Sequence, residues 1–338
     1  MDFQNYTPFA GMAWESWDSN GDKFISSLLR LKFKLIQTEN SSEWRLQLLP
    51  EQGDLFGADV FYDEKKMGSV LYESDYVSFK PCADIVVNAK AIAPNDEASK
   101  SWSCGVSLYS KSEEKLNSLD LRVKGSMHYG VRESVKEVAI RYELSKGGTL
   151  AIKEDEEGKK IATKVDLYNH VGCGNYPNYE DDLPCSEQIF YADGLNIKAP
   201  PGFGFIHRSW KSRLDLAGTY DDNWIKNQHP LPPHDFSYLH NQASHPMLMA
   251  KDYIEAGSKI ELRNLIKESS IAYFTIPEFK LLSRLKTQTD SRWEVLMLDT
   301  LVIDLESEDD YIVYASYRAY TAFYDQVVSA ELMLIEEA

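Results

Sequence analysis

The chain has 338 residues, enough for one large domain or two medium ones with a full core, and its 43% hydrophobic and 12% aromatic content argues against wholesale disorder. Acidic residues outnumber basic ones, 53 to 36, for a formal charge of -17. With no dense Lys/Arg block, that field repels polyanions and argues against nucleic acid as a partner.

From the N-terminus, "MDFQNYTPFAGMAWESWDSNGDKF" lacks the basic and then apolar regions of a secretory signal. No window approaches the roughly eighteen uninterrupted apolar residues that a membrane-spanning helix needs, so no membrane partner is expected. "DSNGD" (Asp18 to Asp22) begins like a calcium loop, but its glycine is misplaced and no glutamate stands at the twelfth position. Asn20-Gly21 is better read as a hairpin turn. Next, Leu29, Leu31, Phe33 and Leu35 interleave with Arg30, Lys32 and Lys34. Such alternation puts one face of a strand on a core and the other in water, which favours antiparallel sheets. The same pattern recurs at Leu119, Leu121 and Val123, at Val138, Ile140, Tyr142 and Leu144, and at Leu301, Ile303 and Leu305. "DIVVNAKAI" (Asp84 to Ile92) and "YIVYASYRAY" (Tyr311 to Tyr320) carry the β-branched and aromatic residues of strands. Gly147-Gly148 supplies a second pair of turn residues. Helical periodicity is confined to "DFSYLHNQAS" (Asp235 to Ser244) and the tail from Thr321 to Glu337, which also reads as a strand.

The expected fold is therefore mainly β, with antiparallel sheets in a sandwich or barrel and few short helices. It divides into a β-rich half over 1–146, an irregular acidic connecting segment over 147–200 and a second β-rich half over 201–338, packed as one unit. Acidic runs such as "EDEE" (Glu154 to Glu157) and "ESEDD" (Glu306 to Asp310) read as solvated turns.

Chemistry-bearing residues concentrate in "PPGFGFIHRSWKSRLDLAGTYDDNWIKNQHPLPPHDF" (Pro200 to Phe236). His229, His234, His240 and His245 with Asp235 supply the ligand types of zinc, but no H-E-x-x-H is present, and His234 and His240 would fall on different faces of a helix. His170, Cys173 and Cys185 form a second three-ligand set, weighed against buried small thiols. The four cysteines, Cys82, Cys104, Cys173 and Cys185, show no CxxC pair, which predicts reduced thiols and a cytoplasmic protein. There is no G-x-S-x-G elbow, and "GFGFIH" lacks the third glycine of a dinucleotide fingerprint. The plainer reading is structural. Arg208 and Arg213 pair with nearby aspartates, and Trp210 and Trp224 anchor the segment through buried area and the indole N–H. Exposed instead, the same side chains would form a binding hot spot.

Several long motifs stand in a fixed order along the chain. They run from "NYTPFAG" (Asn5 to Gly11) and "LLRLKFKL" (Leu28 to Leu35) to "VLYESDYVSFKPCADIVVNAKAIAP" (Val70 to Pro94), with Glu73, Ser74, Asp75, Lys80, Pro81 and Asp84 in place. "LRVKG" (Leu121 to Gly125) follows. The 200–236 run then contributes Trp210, Arg213, Gly218, Thr219, Tyr220, Trp224, Asp235 and Phe236, before "IELRNL" (Ile260 to Leu265) and "LDTLVIDLE" (Leu298 to Glu306). Together these motifs resemble the domain-of-unknown-function family of type VI secretion adaptors, and the resemblance implies a cytoplasmic adaptor or chaperone. It would bind a type VI effector, through a PAAR-like or N-terminal region, and help to load it on the spike, with no cofactor and no catalytic or metal-binding residue. Asp75, Lys80, Pro81, Asp84, Trp210, Arg213, Tyr220, Trp224, Asp235 and Phe236 are the candidate signature or contact residues. Of these, Trp210, Arg213, Tyr220, Trp224 and Phe236 would be contacts where exposed. The rival reading is a metal-assisted hydrolase built on His234 and Asp235. A carbohydrate-binding β-sandwich rests only on the abundance of Tyr and Trp.

Overall fold

The computed structural model describes residues 1–39, 42–63, 68–154, 160–173, 186–194, 197–307, 310–323 and 325–335. Period-two patterning dominates, and the strands it produces stack as two main sheets. The larger sheet runs in the order Met249–Ala250, Ala83–Asn88, Met297–Asp304, Ile312–Ala322, Lys23–Gln37, Ala10–Trp17, with Trp44–Leu48 also pairing on Lys23–Gln37. Its pairings are antiparallel except for Ala83–Asn88 beside Met297–Asp304, which is parallel. The second sheet is antiparallel throughout, in the order Ile189–Tyr191, Lys115–Lys124, Ser101–Tyr109, Lys259–Ile266, Ser269–Thr275. A third sheet joins Asp2–Asn5 and Ser329–Ile335 to Lys280–Lys286 and Ser291–Val295.

The core lies between the first two sheets. Leu29, Leu31, Phe33, Ile85, Val87, Leu301, Ile303 and Val313 from the larger sheet meet Val106, Leu108, Leu119, Leu121, Val123, Ile260, Leu262 and Phe274 from the second in one continuous cluster. This is a β-sandwich, in which inner faces interdigitate and each strand contributes alternate residues. Both sheets draw strands from both halves of the chain, so 1–146 and 201–338 are interleaved. The connecting segment is not merely irregular. Ile189–Tyr191 forms an edge of the second sheet, and Thr149–Glu154 pairs with Lys160–Val165 as a hairpin.

Local expectations fare unevenly. Gly21, at φ 85°, closes the Asp18–Asp22 turn between Ala10–Trp17 and Lys23–Gln37, as the Asn-Gly pair predicts. Gly147-Gly148 does not join two paired strands; it lies against Asn169, whose carbonyl accepts the Gly148 N–H at 2.7 Å. Among the described residues, α-helix is confined to Lys211–Leu214 and Asp222–Asn227. The helix expected over 235–244 reduces to the 3-10 turn Tyr238–Asn241, and the tail forms strands. Cys82 and Cys104 are free thiols, but Cys173 is disulfide-bonded, which corrects the expectation of reduced cysteines throughout. Cys185, most of the "EDEE" run and most of the "HVGCGNYPNYEDDLPC" run lie outside the described residues.

Candidate functional site

The second face of the larger sheet positions the residues of interest. Alternation predicted that Arg30 would face water; instead it is 3% exposed. The long connections over 49–82 and 203–247 cross that face and cover it with Val70, Phe205 and Ala243, which pack on Val86 and Val302. Every charge that the sheet turns toward this cover must be paired, because an uncompensated buried charge costs several kcal/mol.

The pairs are present. The Arg30 guanidinium donates to the Asp75 carboxylate at 2.5 Å and to the Asp54 carbonyl, and it lies 4.1 Å from the Phe56 ring centroid and 5.1 Å from that of Tyr314. Lys80 donates to Asp84 at 2.7 Å and to the Thr300 hydroxyl at 2.9 Å. Arg318 is paired with Asp299 and also donates to the Asp75 carbonyl. Glu73 accepts from Arg213 at 2.7 Å and from Arg208 at 3.3 Å, while Arg213 also donates to the carbonyls of Ile206 and His240. Seven of these charged side chains (Arg30, Glu73, Asp75, Lys80, Asp84, Asp299 and Arg318) come from the sheet or the 49–82 cover, whereas Arg208 and Arg213 come from the 203–247 cover, Arg213 from its short helix Lys211–Leu214. The network thereby ties three parts of the chain together.

The two central aspartates differ. Asp84 is fully buried and accepts from Lys80, from the Gln242 amide, from the Ala243 and Ser244 N–H groups and from the Ser244 hydroxyl. Burial alone would raise its carboxyl, but Lys80 and these bonds together hold it below the ordinary carboxylate range. Asp75 accepts from Arg30 and the Phe56 N–H, and there burial prevails and pushes its carboxyl up. A cavity of about 20 Å³ lies among Arg30, Asp75, Lys80, Thr300 and Arg318. It has room for about one water molecule and none for a substrate.

The structure thus splits the candidate residues. Asp75, Lys80, Asp84 and Arg213 belong to the buried network, and Pro81 lies half-buried between Lys80 and Asp84. Trp210 is 3% exposed and meets the Tyr142 ring edge-on at 5.1 Å, so it belongs to the core with Arg213 rather than to a contact surface. Tyr220 is 57% exposed, and its ring packs edge-on against half-buried Trp224 at 4.7 Å; Trp224 meets His229 at 5.1 Å. The Trp224 indole donates to the Leu231 carbonyl at 2.9 Å, and its own N–H is capped by Asp221 at 2.8 Å. Phe236 is half-buried against Tyr238 and His240. Arg30, Asp299 and Arg318 were missed as network members; Arg30 and Asp299 stood inside quoted motifs, but nothing in a single strand reveals that its polar face will be covered.

The histidine set disperses. Asp235 is exposed and spends both oxygens on Thr219, at 2.9 Å from its N–H and 2.7 Å from its hydroxyl, and those bonds hold the carboxyl below its usual range. His234 is exposed, His240 donates through Nδ1 to the Arg213 carbonyl at 2.9 Å, and His245 is enclosed beside Tyr191 at 2.8 Å. Among the described residues no group of three or more His, Cys, Asp or Glu side chains converges on a point where it could hold a metal ion. No described helix is long and apolar enough to cross a membrane. No curated protein and no solved structure matches the chain. The 49–82 cover, the 200–236 segment and most strands of the two main sheets fall within residues 21–315, over which the chain matches the family described as "Uncharacterized protein conserved in bacteria (DUF2169)", and it belongs to that family.

Proposed function

We propose that this bacterial protein is a cytoplasmic adaptor that binds a type VI secretion effector, through its PAAR-like or N-terminal region, stabilises it and helps to load it on the spike. The reading rests on the ordered motifs that resemble type VI adaptors. One observation favours it over the hydrolase: the motif residues with chemistry in them, Arg30, Glu73, Asp75, Lys80, Asp84 and Arg213, are buried and paired with one another, with no substrate-sized space among them. Such a network holds irregular backbone in one shape. Outside it, Tyr220 and Trp224, packed edge-on and tethered by Asp221 and Leu231, present a rigid aromatic surface of the kind that dominates binding energy at protein interfaces. A partner that binds only the folded effector stabilises it by RT ln(1 + [L]/Kd), about 2.7 kcal/mol at a hundredfold excess over Kd.

The test is co-expression with the product of the neighbouring effector gene. The effector is expected to co-purify, with capture weakening as salt rises because the adaptor is strongly acidic. Trp224→Ala should reduce capture at least tenfold with an unchanged circular-dichroism spectrum. Turnover of a small molecule by the purified chain, abolished by Asp235→Asn, would establish the hydrolase instead.

A further inference from the structure

The strand Ala10–Trp17 ends the larger sheet, and among the described residues no strand pairs with its outer edge. The Asp18 N–H donates to the Asp22 carbonyl at 3.0 Å, which fixes the alternation of the ladder behind it. Trp14 and Ser16 bond inward to Ser26 and Phe24, so Glu15 and Trp17 turn their N–H and C=O outward. At that position lies a groove of about 520 Å³, with Glu15, Ser16 and Trp17 on one side and Pro230, Leu231 and Pro232 on the other. Trp17 is 45% exposed. The proline wall is held rigidly, since Gln228 donates to the Pro232 carbonyl at 2.9 Å and to the Ser19 carbonyl at 2.6 Å, and Trp224 holds Leu231.

The surrounding charge is one-sided. Glu15 and Lys23 neutralise each other at 3.1 Å. The turn and the helix flanking the groove carry Asp18, Asp22, Asp221 and Asp222 against Lys226 alone.

The geometry points to this groove as the docking site for an extended segment of the partner polypeptide that alternates apolar with Lys or Arg residues and adds as a further strand to the edge of Ala10–Trp17. Main-chain bonds to Glu15 and Trp17 supply the pairing, Trp17 and Leu231 receive the apolar side chains, and the four aspartates select the basic ones. The inference rests on the adaptor reading for the identity of the partner, though the groove can be tested without it.

The probe is a fluorescently labelled, end-capped decapeptide of alternating valine and lysine, titrated against the full chain by anisotropy, with a valine–glutamate counterpart. Glu15→Pro removes an outward N–H and no ladder bond, a change that an edge strand tolerates. The valine–lysine peptide should bind saturably. Glu15→Pro and Trp17→Ala should each weaken it at least tenfold, and Glu15→Gln should stay within about twofold. Equal binding of the valine–glutamate peptide, or wild-type binding by both Trp17→Ala and a folded Glu15→Pro, would overturn the groove. Full-strength capture of an effector by those two variants would likewise overturn it and leave the adaptor reading standing. Failure of the neighbouring effector to bind, with the peptide results intact, would overturn the adaptor reading alone.

Discussion

At the scale of single residues, the informative side chains are polar ones in the interior. Asp84 carries the largest share, since five donors converge on it from Lys80 and from the 242–244 turn. Asp84→Ala would leave the Lys80 ammonium and the main-chain N–H groups of Ala243 and Ser244 without their acceptor. The expected cost is about 3–5 kcal/mol, read as a lower urea midpoint at unchanged m-value. A loss below about 1 kcal/mol would mean that water reaches the site. His245 makes a second, pH-dependent case. Its Nδ1 accepts the Met247 N–H at 3.1 Å, and the ring's Nε2 side meets the Tyr191 hydroxyl, which itself donates to the Ala199 carbonyl. Burial lowers the imidazole from its ordinary 6.5 to about 4. The unfolded chain therefore takes up a proton near pH 6.5 that the folded chain refuses until about pH 4, so stability falls as pH drops through that window. Between pH 7 and pH 5 the His245 contribution should fall by about 2 kcal/mol. His245→Asn, which keeps an acceptor for Met247 but does not titrate, should unfold with a correspondingly shallower dependence on pH over the same range.

At the scale of elements, the strands follow from alternation and the irregular pieces from specific tethers. The helix Asp222–Asn227 is too short to persist on its own. It is held by the Asp221 cap, by the Trp224 bond to Leu231 and by Gln228 reaching Ser19. Asp221→Ala should cost about 1 kcal/mol, the usual worth of an N-cap, and should lower the proteolytic resistance of the 219–233 loop while leaving the sandwich intact. Gly218, at φ 83°, has a similar supporting role. A Cβ there would stand 2.9 Å from an Asp235 carboxylate oxygen, the group that staples Thr219. The signature residues Gly218, Thr219 and Asp235 therefore make one loop clamp, which accounts for their joint presence without any chemistry at Asp235.

At the scale of the whole molecule, the larger sheet is covered on both faces, and the two covers differ. One is the second sheet, through a continuous apolar cluster. The other is irregular backbone, through a mixed layer of four ion pairs and a small apolar cluster around Val86, Phe205 and Val302. Buried pairs add little net stability relative to apolar packing, but each accepts only its own partner and geometry. That suits a cover with few ladder bonds, where apolar packing alone would tolerate many arrangements. The outcome is an aromatic rim, Tyr220 to Trp224, and a proline-walled groove that are fixed relative to the sheet edge.

The sequence by itself determined the class of the fold. Period-two patterning at Leu29 to Leu35 and Leu119 to Val123 is a local property, because successive side chains of a strand point to opposite faces whatever the strand packs on. The Asn20-Gly21 turn was legible for the same reason, as it needs only positive φ. Membership of a bacterial family of unknown function was legible through motifs in order, but the roles of the motif residues were not. Whether Arg30 meets water or Asp75, and whether Trp210 is an anchor or a contact, depends on which distant segment crosses that face. Asp75 lies 45 residues from Arg30, and Glu73 lies 140 from Arg213. No local pattern encodes such separations. Burial is a property of the assembled layers, and only the tertiary structure decided which polar residues would be enclosed and which left exposed.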